Sequence, residues 1–223
     1  MDRTCSVSAS PMLGGWRPET LNQWTHGAGF ILSLFGSAIM LQTVASSGDP
    51  WRIVGCAVYA ASLVALYAAS TLSHSFEEGP RRDFYRMLDQ VCIYLLVVGN
   101  FTPFGLVHLR NHGLWFLLPM MWFFAMVGIA ARIRGGTRTT SWLPFAILGW
   151  LPVSTLGQML NIGQLPGLML VIAGGAAYSA GVWFLNNDHR RPYFHAVWHL
   201  STITGSALHY LFVLEYVART PTA

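Results

Sequence analysis

The sequence predicts an all-α fold, a bundle of seven transmembrane helices with its N-terminus in the cytoplasm and its C-terminus outside. The first observation behind this is composition. The 223 residues are 53% apolar and only 10% charged, and the mean hydropathy is +0.45. A soluble domain carries roughly a quarter charged residues, so the solvent for most of this chain is lipid. The second is length. Apolar runs lie at about 26–45, 52–73, 88–108, 113–131, 142–160, 167–185 and 195–217. Each approaches the ~20 residues that cross a ~30 Å hydrocarbon core as a helix. The third is pattern. The runs are continuously apolar, whereas barrel strands alternate over ~10 residues. Seven spans leave little chain over, which predicts one compact membrane domain over 16–223 behind a small, polar, mobile tail at 1–15.

Charge sets the orientation. The thirteen basic residues are all arginine and stand at segment ends, so the net charge of +4 is topogenic and excludes a nucleic-acid partner. Arg3, Arg17, Arg81, Arg82, Arg86, Arg132, Arg134, Arg138, Arg190 and Arg191 fall on one side, and Arg52, Arg110 and Arg219 on the other. Ten against three puts the N-terminus inside. The N-terminus lacks the basic and apolar regions of a cleaved signal peptide. Cys5, Cys56 and Cys92 are scattered, which argues against a disulfide framework and against a thiolate metal site. Arginine without lysine points to a bacterial genome and hence to the cytoplasmic (inner) membrane.

Segment one is preceded by Glu19, Asn22 and His26, spaced by three and four and so on one helix face. Gly29, Ser33 and Ser37 continue as a small-residue packing ridge. Segment two ends in Ser70-Thr71-Leu72-Ser73-His74, with Ser70 and His74 one turn apart. The charged stretch Glu77–Arg86 reads as a solvated connector. Segment three opens with Asp89, a carboxylate that needs a cation, a metal or strong donors. Asn100 follows on nearly the same face, and Gly99 and Pro103 predict a kink. His108 and His112 read as outer interface residues. Segment four ends at the Arg132/Arg134/Arg138 cluster. In segment five, Pro144, Pro152, Gln158 and Asn161 predict a bent helix, and in segment six Gly174, Gly175 and Gly181 predict close packing. Segment seven carries one polar stripe, His195, His199, Thr202, Ser206 and His209, which must face the bundle interior. His209 lies roughly 15 Å deeper than His199 at 1.5 Å per residue, so it serves no ion that His199 holds.

These positions converge. Glu19, Asn22 and His26 begin segment one, His74 ends segment two, Asp89 begins segment three, and His195 and His199 begin segment seven. All are cytoplasmic ends. His74, His195 and His199 are the natural ligands of a zinc ion, Zn2+, which takes neutral imidazoles at about 2.0–2.1 Å. Asp89 is then placed to move a proton and Ser70 to orient water or stabilise an oxyanion. The alternative is that these histidines hydrogen-bond across helices without metal. The pair His195/His199 lacks the glutamate that follows the first histidine in soluble zincins, so that mechanism does not transfer.

Glu19-x-x-Asn22-x-x-Thr25-His26, Ser70-Thr71-Leu72-Ser73-His74-Ser75-Phe76, Leu88-Asp89 with Ile93-Tyr94-Leu95 and Phe101-Thr102-Pro103-Phe104, and His195-x-x-x-His199 with His209 together resemble the hemolysin III family, within the progestin and adipoQ receptor superfamily. The resemblance covers residue 19 to about 217. It implies seven helices, an inward N-terminus, zinc on His74, His195 and His199, and Asp89 and Ser70 on the water side. The family pattern often has histidine after this aspartate; here it is Gln90. Distant similarity to alkaline ceramidases implies a hydrolase of a lipid amide or ester. The family name implies instead a membrane-lytic, pore-forming protein with structural zinc. The eukaryotic relatives imply a receptor or sensor, although little extramembrane sequence is left to bind a protein partner, and none is identified.

Overall fold

The computed structural model describes residues 18–135 and 142–219, which form α-helices with short 3-10 and π turns; no strand occurs among the described residues. The expected tail at 1–15, and with it Arg3, Arg17 and Arg138, lies outside them.

The helices are α1 (Pro18–Ala45), α2 (Pro50–Ser73), α3 (Pro80–Phe104, prolonged by a π turn at Gly105–Leu109), α4 (Leu117–Gly135), α5 (Leu143–Trp150, followed by a 3-10 turn), α6 (Leu156–Asn186) and α7 (Phe194–Val213, prolonged to Ala218). Proline sets several starts. Pro80 occupies the first turn of α3, where its missing N–H costs nothing, and Pro50 does the same for α2 with Asp49 capping the Trp51 N–H. Helix α3 therefore begins well before the apolar run that announced it. The stretch expected as a solvated connector is helix from Pro80 on, and Asp89 sits more than two turns into it.

Five stretches of the described residues are long and apolar enough to cross a membrane: Pro18–Ala45, Pro50–Ser73, Pro80–Leu109, Leu117–Gly135 and Leu143–Asn186. The last has 44 residues, about 66 Å of helix at 1.5 Å per residue, twice the hydrocarbon thickness. It breaks at Gln164, whose φ of 50° and ψ of −163° are non-helical, two residues before Pro166. Helix α7 is long enough but is diluted by its polar stripe.

On α1 burial is inverted relative to a helix of a soluble bundle. Helix α1 buries Asn22, His26, Gly29, Ser33, Ser37, Met40 and Val44, one stripe at helical spacing. It exposes Ile31, Leu32, Leu34, Phe35 and Ile39, as a lipid-facing surface should. Helix α2 packs along α3 and α1, α6 along α7, and α7 returns to α1. Gly55 lets α2 approach α3 closely, since a Cβ there would lie 2.8 Å from the Pro103 Cα. Of the glycines expected to pack closely, Gly29, Gly174 and Gly181 make room for rings, as does Gly205, which was not among them, and Gly175 has nothing within 4 Å of where a Cβ would stand. A Cβ on Gly29 would meet Tyr67 at 2.7 Å, one on Gly205 would meet Tyr178 at 2.8 Å, and one on Gly174 would collide with His209. Tyr67 and Tyr178 both reach Ser206 Oγ at 2.8 Å, so a buried polar hub ties α2, α6 and α7.

Candidate metal centre

Three helix ends meet at one level. Helix α2 stops at Ser73, and His74 caps it, its backbone N–H donating to the Ser70 carbonyl. Helix α7 starts at Phe194, so His195 and His199 occupy its first two turns on one face. Helix α1 starts at Pro18 and brings Glu19, Asn22 and His26 alongside both.

The three histidines converge. One ligand nitrogen from each of His74, His195 and His199 lies within 4.8 Å of the others. The ring centroids are 5.1 Å apart for His74–His195, 5.1 Å for His74–His199 and 4.7 Å for His195–His199. Each ring is held through Nδ1 by an oxygen acceptor. His74 Nδ1 donates to Glu19 Oε2 at 2.6 Å, His195 Nδ1 to Asp188 Oδ2 at 3.2 Å, and His199 Nδ1 to the Asn22 carbonyl at 3.2 Å, with Thr25 Oγ1 at 3.0 Å. A carbonyl or a carboxylate can only accept, so Nδ1 carries a proton and Nε2 is the nitrogen left to ligate a metal. Carboxylate or carbonyl behind each imidazole is the outer arrangement of metal-binding histidines. Three imidazole nitrogens are a donor set that suits zinc.

Glu19 is itself anchored, since its other oxygen accepts from Arg82, a side chain 5% exposed. Asp188 lies outside the membrane helices, and the hydrogen bond from His195 holds its carboxyl below the ordinary aspartate value against the opposing effect of burial. Ser70 Oγ donates to Asp89 Oδ2 at 3.3 Å, and Asp89 is near enough to His195 to interact with it electrostatically.

His26 joins the cluster differently. Its ring stacks on His199 with centroids 3.6 Å apart and meets Tyr67 edge-on. His209 stays apart, as its depth predicts. It takes a hydrogen bond from Asn100 at 2.6 Å and donates to the Val171 carbonyl at 3.1 Å, linking α3, α6 and α7. His108, read as an interface residue, is half-buried against Phe104. His189 is exposed.

Asp188 and Tyr67 were not named from the sequence, Arg82 reads there only as a topogenic arginine, and Thr25 appears in a motif without a role of its own. Thr25 stands within the Glu19–His26 motif and had a signal in its spacing. Asp188 and Arg82 sit in charged stretches that look like ordinary connectors, and nothing in their sequence neighbourhood marks them.

A profile of proteins described as haemolysin-III related matches residues 15–210. The chain belongs to the haemolysin-III family. It is 35% identical to Hemolysin-3 of Bacillus cereus over 206 residues, covering 92% of this chain and 94% of that protein. It is 31% identical to the Hemolysin-3 homolog of Bacillus subtilis over 207 residues, covering 92% and 97%. The human monocyte to macrophage differentiation factor is 27% identical over 228 residues, covering 96% and 92%. This haemolysin-III family member is a membrane-embedded, multi-pass protein.

Proposed function

We propose that this protein binds zinc through His74, His195 and His199 and hydrolyses a lipid amide or ester at the cytoplasmic side of the bacterial inner membrane. The observation that carries the reading is the shared second layer: three imidazoles from two helix ends, each with Nδ1 bonded to an oxygen, and a ligand nitrogen from each within 4.8 Å of the others. Histidines that only tied helices together would have no need to converge. In this reading the chain crosses the membrane seven times with its N-terminus inside. The over-long Leu143–Asn186 stretch, broken at Gln164, supplies two of the crossings, and the arginine bias supplies the orientation.

A zinc ion held there supplies a Lewis acid that polarises a carbonyl and acidifies water. The protein's own groups do the rest. Asp89 takes a proton from the attacking water and delivers it to the departing amine or alkoxide. Ser70 holds one Asp89 oxygen by its hydroxyl and so fixes the direction in which the other faces. Glu19, Asp188 and the Asn22 carbonyl fix the tautomer and orientation of the imidazoles.

The test is metal content by mass spectrometry on detergent-purified protein, beside His195→Ala/His199→Ala. About one zinc per chain, lost in the variant, supports the site. Asp89→Asn should then retain zinc and lose turnover of lipid amides. Wild type without zinc, purified without chelators, rejects the enzyme reading.

The name Hemolysin-3, carried by the Bacillus cereus relative, favours a second reading, a membrane-lytic protein with structural zinc. It predicts release of solute from liposomes that survives Asp89→Asn.

A further inference from the structure

Two side chains beside the histidine cluster carry buried polar atoms that make no well-formed hydrogen bond in the protein. Both ring nitrogens of His26 are buried without a hydrogen bond, and so is Asn22 Oδ1. Neither residue is a surface group: His26 is 3% exposed and Asn22 5%. A buried polar group without a partner is costly, so such groups are rare and two together are rarer. They are also placed with purpose. Asn22 and His26 are one turn apart on the inward face of α1, about 5–6 Å between Cβ atoms. Asn22 lends its backbone carbonyl to His199, and the His26 ring lies flat on the His199 ring. The pair is therefore one ring thickness from a candidate metal ligand, on the interior side of the helix. Tyr67, the other ring against His26, meets it edge-on and turns its hydroxyl to Ser206, so it serves neither nitrogen.

We propose that Asn22 and His26 form a polar subsite next to the metal centre that recognises a ligand group carrying a hydrogen-bond acceptor and a hydrogen-bond donor together, as a secondary amide does. This rests on the reading that the site takes a lipid with a polar head. An imidazole N–H of His26 donates to the carbonyl, and Asn22 Oδ1 accepts the amide N–H. The C=O and N–H of a trans amide point in opposite directions, which suits partners a helical turn apart. An ester offers the carbonyl and no donor, so it leaves Asn22 Oδ1 unpaired. The subsite thus separates amides from esters, and His26 and Asn22 make different contributions: His26 serves both ligands, Asn22 only the amide.

The experiment is equilibrium binding of tritiated N-methyldodecanamide to the full chain in detergent, competed by unlabelled amide or by methyl dodecanoate. It is run on zinc-loaded and on chelator-stripped protein, with zinc measured in each sample. Wild type should prefer the amide by about tenfold, the equivalent of one buried hydrogen bond at 1.4 kcal/mol per decade. Asn22→Leu should bring the ratio to about one by weakening the amide alone. His26→Phe, which keeps the stacked ring, should weaken both ligands together. Equal affinity of wild type for amide and ester overturns the inference and means that a water alone serves the two side chains; this result needs no variant to fold. A tenfold ratio that persists in Asn22→Leu overturns it as well. Absence of zinc with the preference intact would reject the metal reading and leave the subsite standing, so the two failures are distinguishable.

Discussion

Removing Glu19 should weaken zinc binding more than removing Asp188 does, although each carboxylate supports one imidazole. The difference follows from geometry. The His74–Glu19 contact is 2.6 Å with side chains 6% and 45% exposed, whereas His195–Asp188 is 3.2 Å with side chains 28% and 41% exposed, so the carboxylates are alike and the difference lies in bond length and in the burial of the imidazole. Charge-assisted hydrogen bonds strengthen as they shorten and leave water. Loss of such an outer partner typically costs 10–100-fold in metal affinity. Glu19→Ala should fall near the upper end, about 100-fold or roughly 2.7 kcal/mol, and Asp188→Ala near the lower, about tenfold or 1.4 kcal/mol. Glu19→Ala also strips the buried Arg82 of a partner, so its melting temperature without zinc should drop further than that of Asp188→Ala. The assay is zinc competition against a chromophoric chelator of known affinity, with thermal melts of the stripped protein. Equal losses, or a larger loss in Asp188→Ala, would refute the reasoning from hydrogen-bond length and burial.

The other predictions concern the frame around the site. Gln164 carries a side chain at φ 50°, a region that favours glycine, so Gln164→Gly should stabilise the protein by about 1 kcal/mol, read as a raised melting temperature; a fall would show that the break is held by the glutamine itself. Gly174→Ala should destabilise by about 1–3 kcal/mol, because the new methyl displaces His209 from Asn100 and Val171, and the loss should shrink in a His209→Ala background. Asp188 has a depressed folded-state value, so its contribution is present above the unfolded aspartate value near 3.9 and disappears as pH falls through the folded one. In zinc-free protein, Asp188→Asn should therefore flatten the acid limb of melting temperature against pH, below about pH 4, and an unchanged limb would contradict the assignment.

The fold class was legible because lipid leaves a coarse signature. Long apolar runs and a shortage of charge require helices, and α1 to α4 follow the runs closely at their C-terminal ends. The start of α3 was not legible, since its first turns are polar and a hydropathy pattern sees only the part in lipid. Histidines 74, 195 and 199 were legible from position alone: each stands at a helix end, and the ends fall at one level. Their supports were not. Asp188 reaches His195 across the entrance of α7, and Arg82 reaches Glu19 across two helices, contacts that no local spacing encodes. The glycines were half-legible. Small residues at helical spacing correctly marked packing surfaces, but sequence cannot say whether a neighbour's backbone or a neighbour's ring fills the space, and at Gly29, Gly174 and Gly205 it is a ring.

Those ring seats constrain how the sequence can drift. Gly29 and Tyr67, Gly205 and Tyr178, and Gly174 and His209 are pairs in which one partner has no side chain because the other has a large one. Neither half of a pair can change first without a clash or a hollow. A lineage that gave up the ring would be free to gain a methyl at the glycine, and one that kept the ring would keep the glycine with it. Among haemolysin-III proteins these six positions should therefore be inherited as three two-letter words.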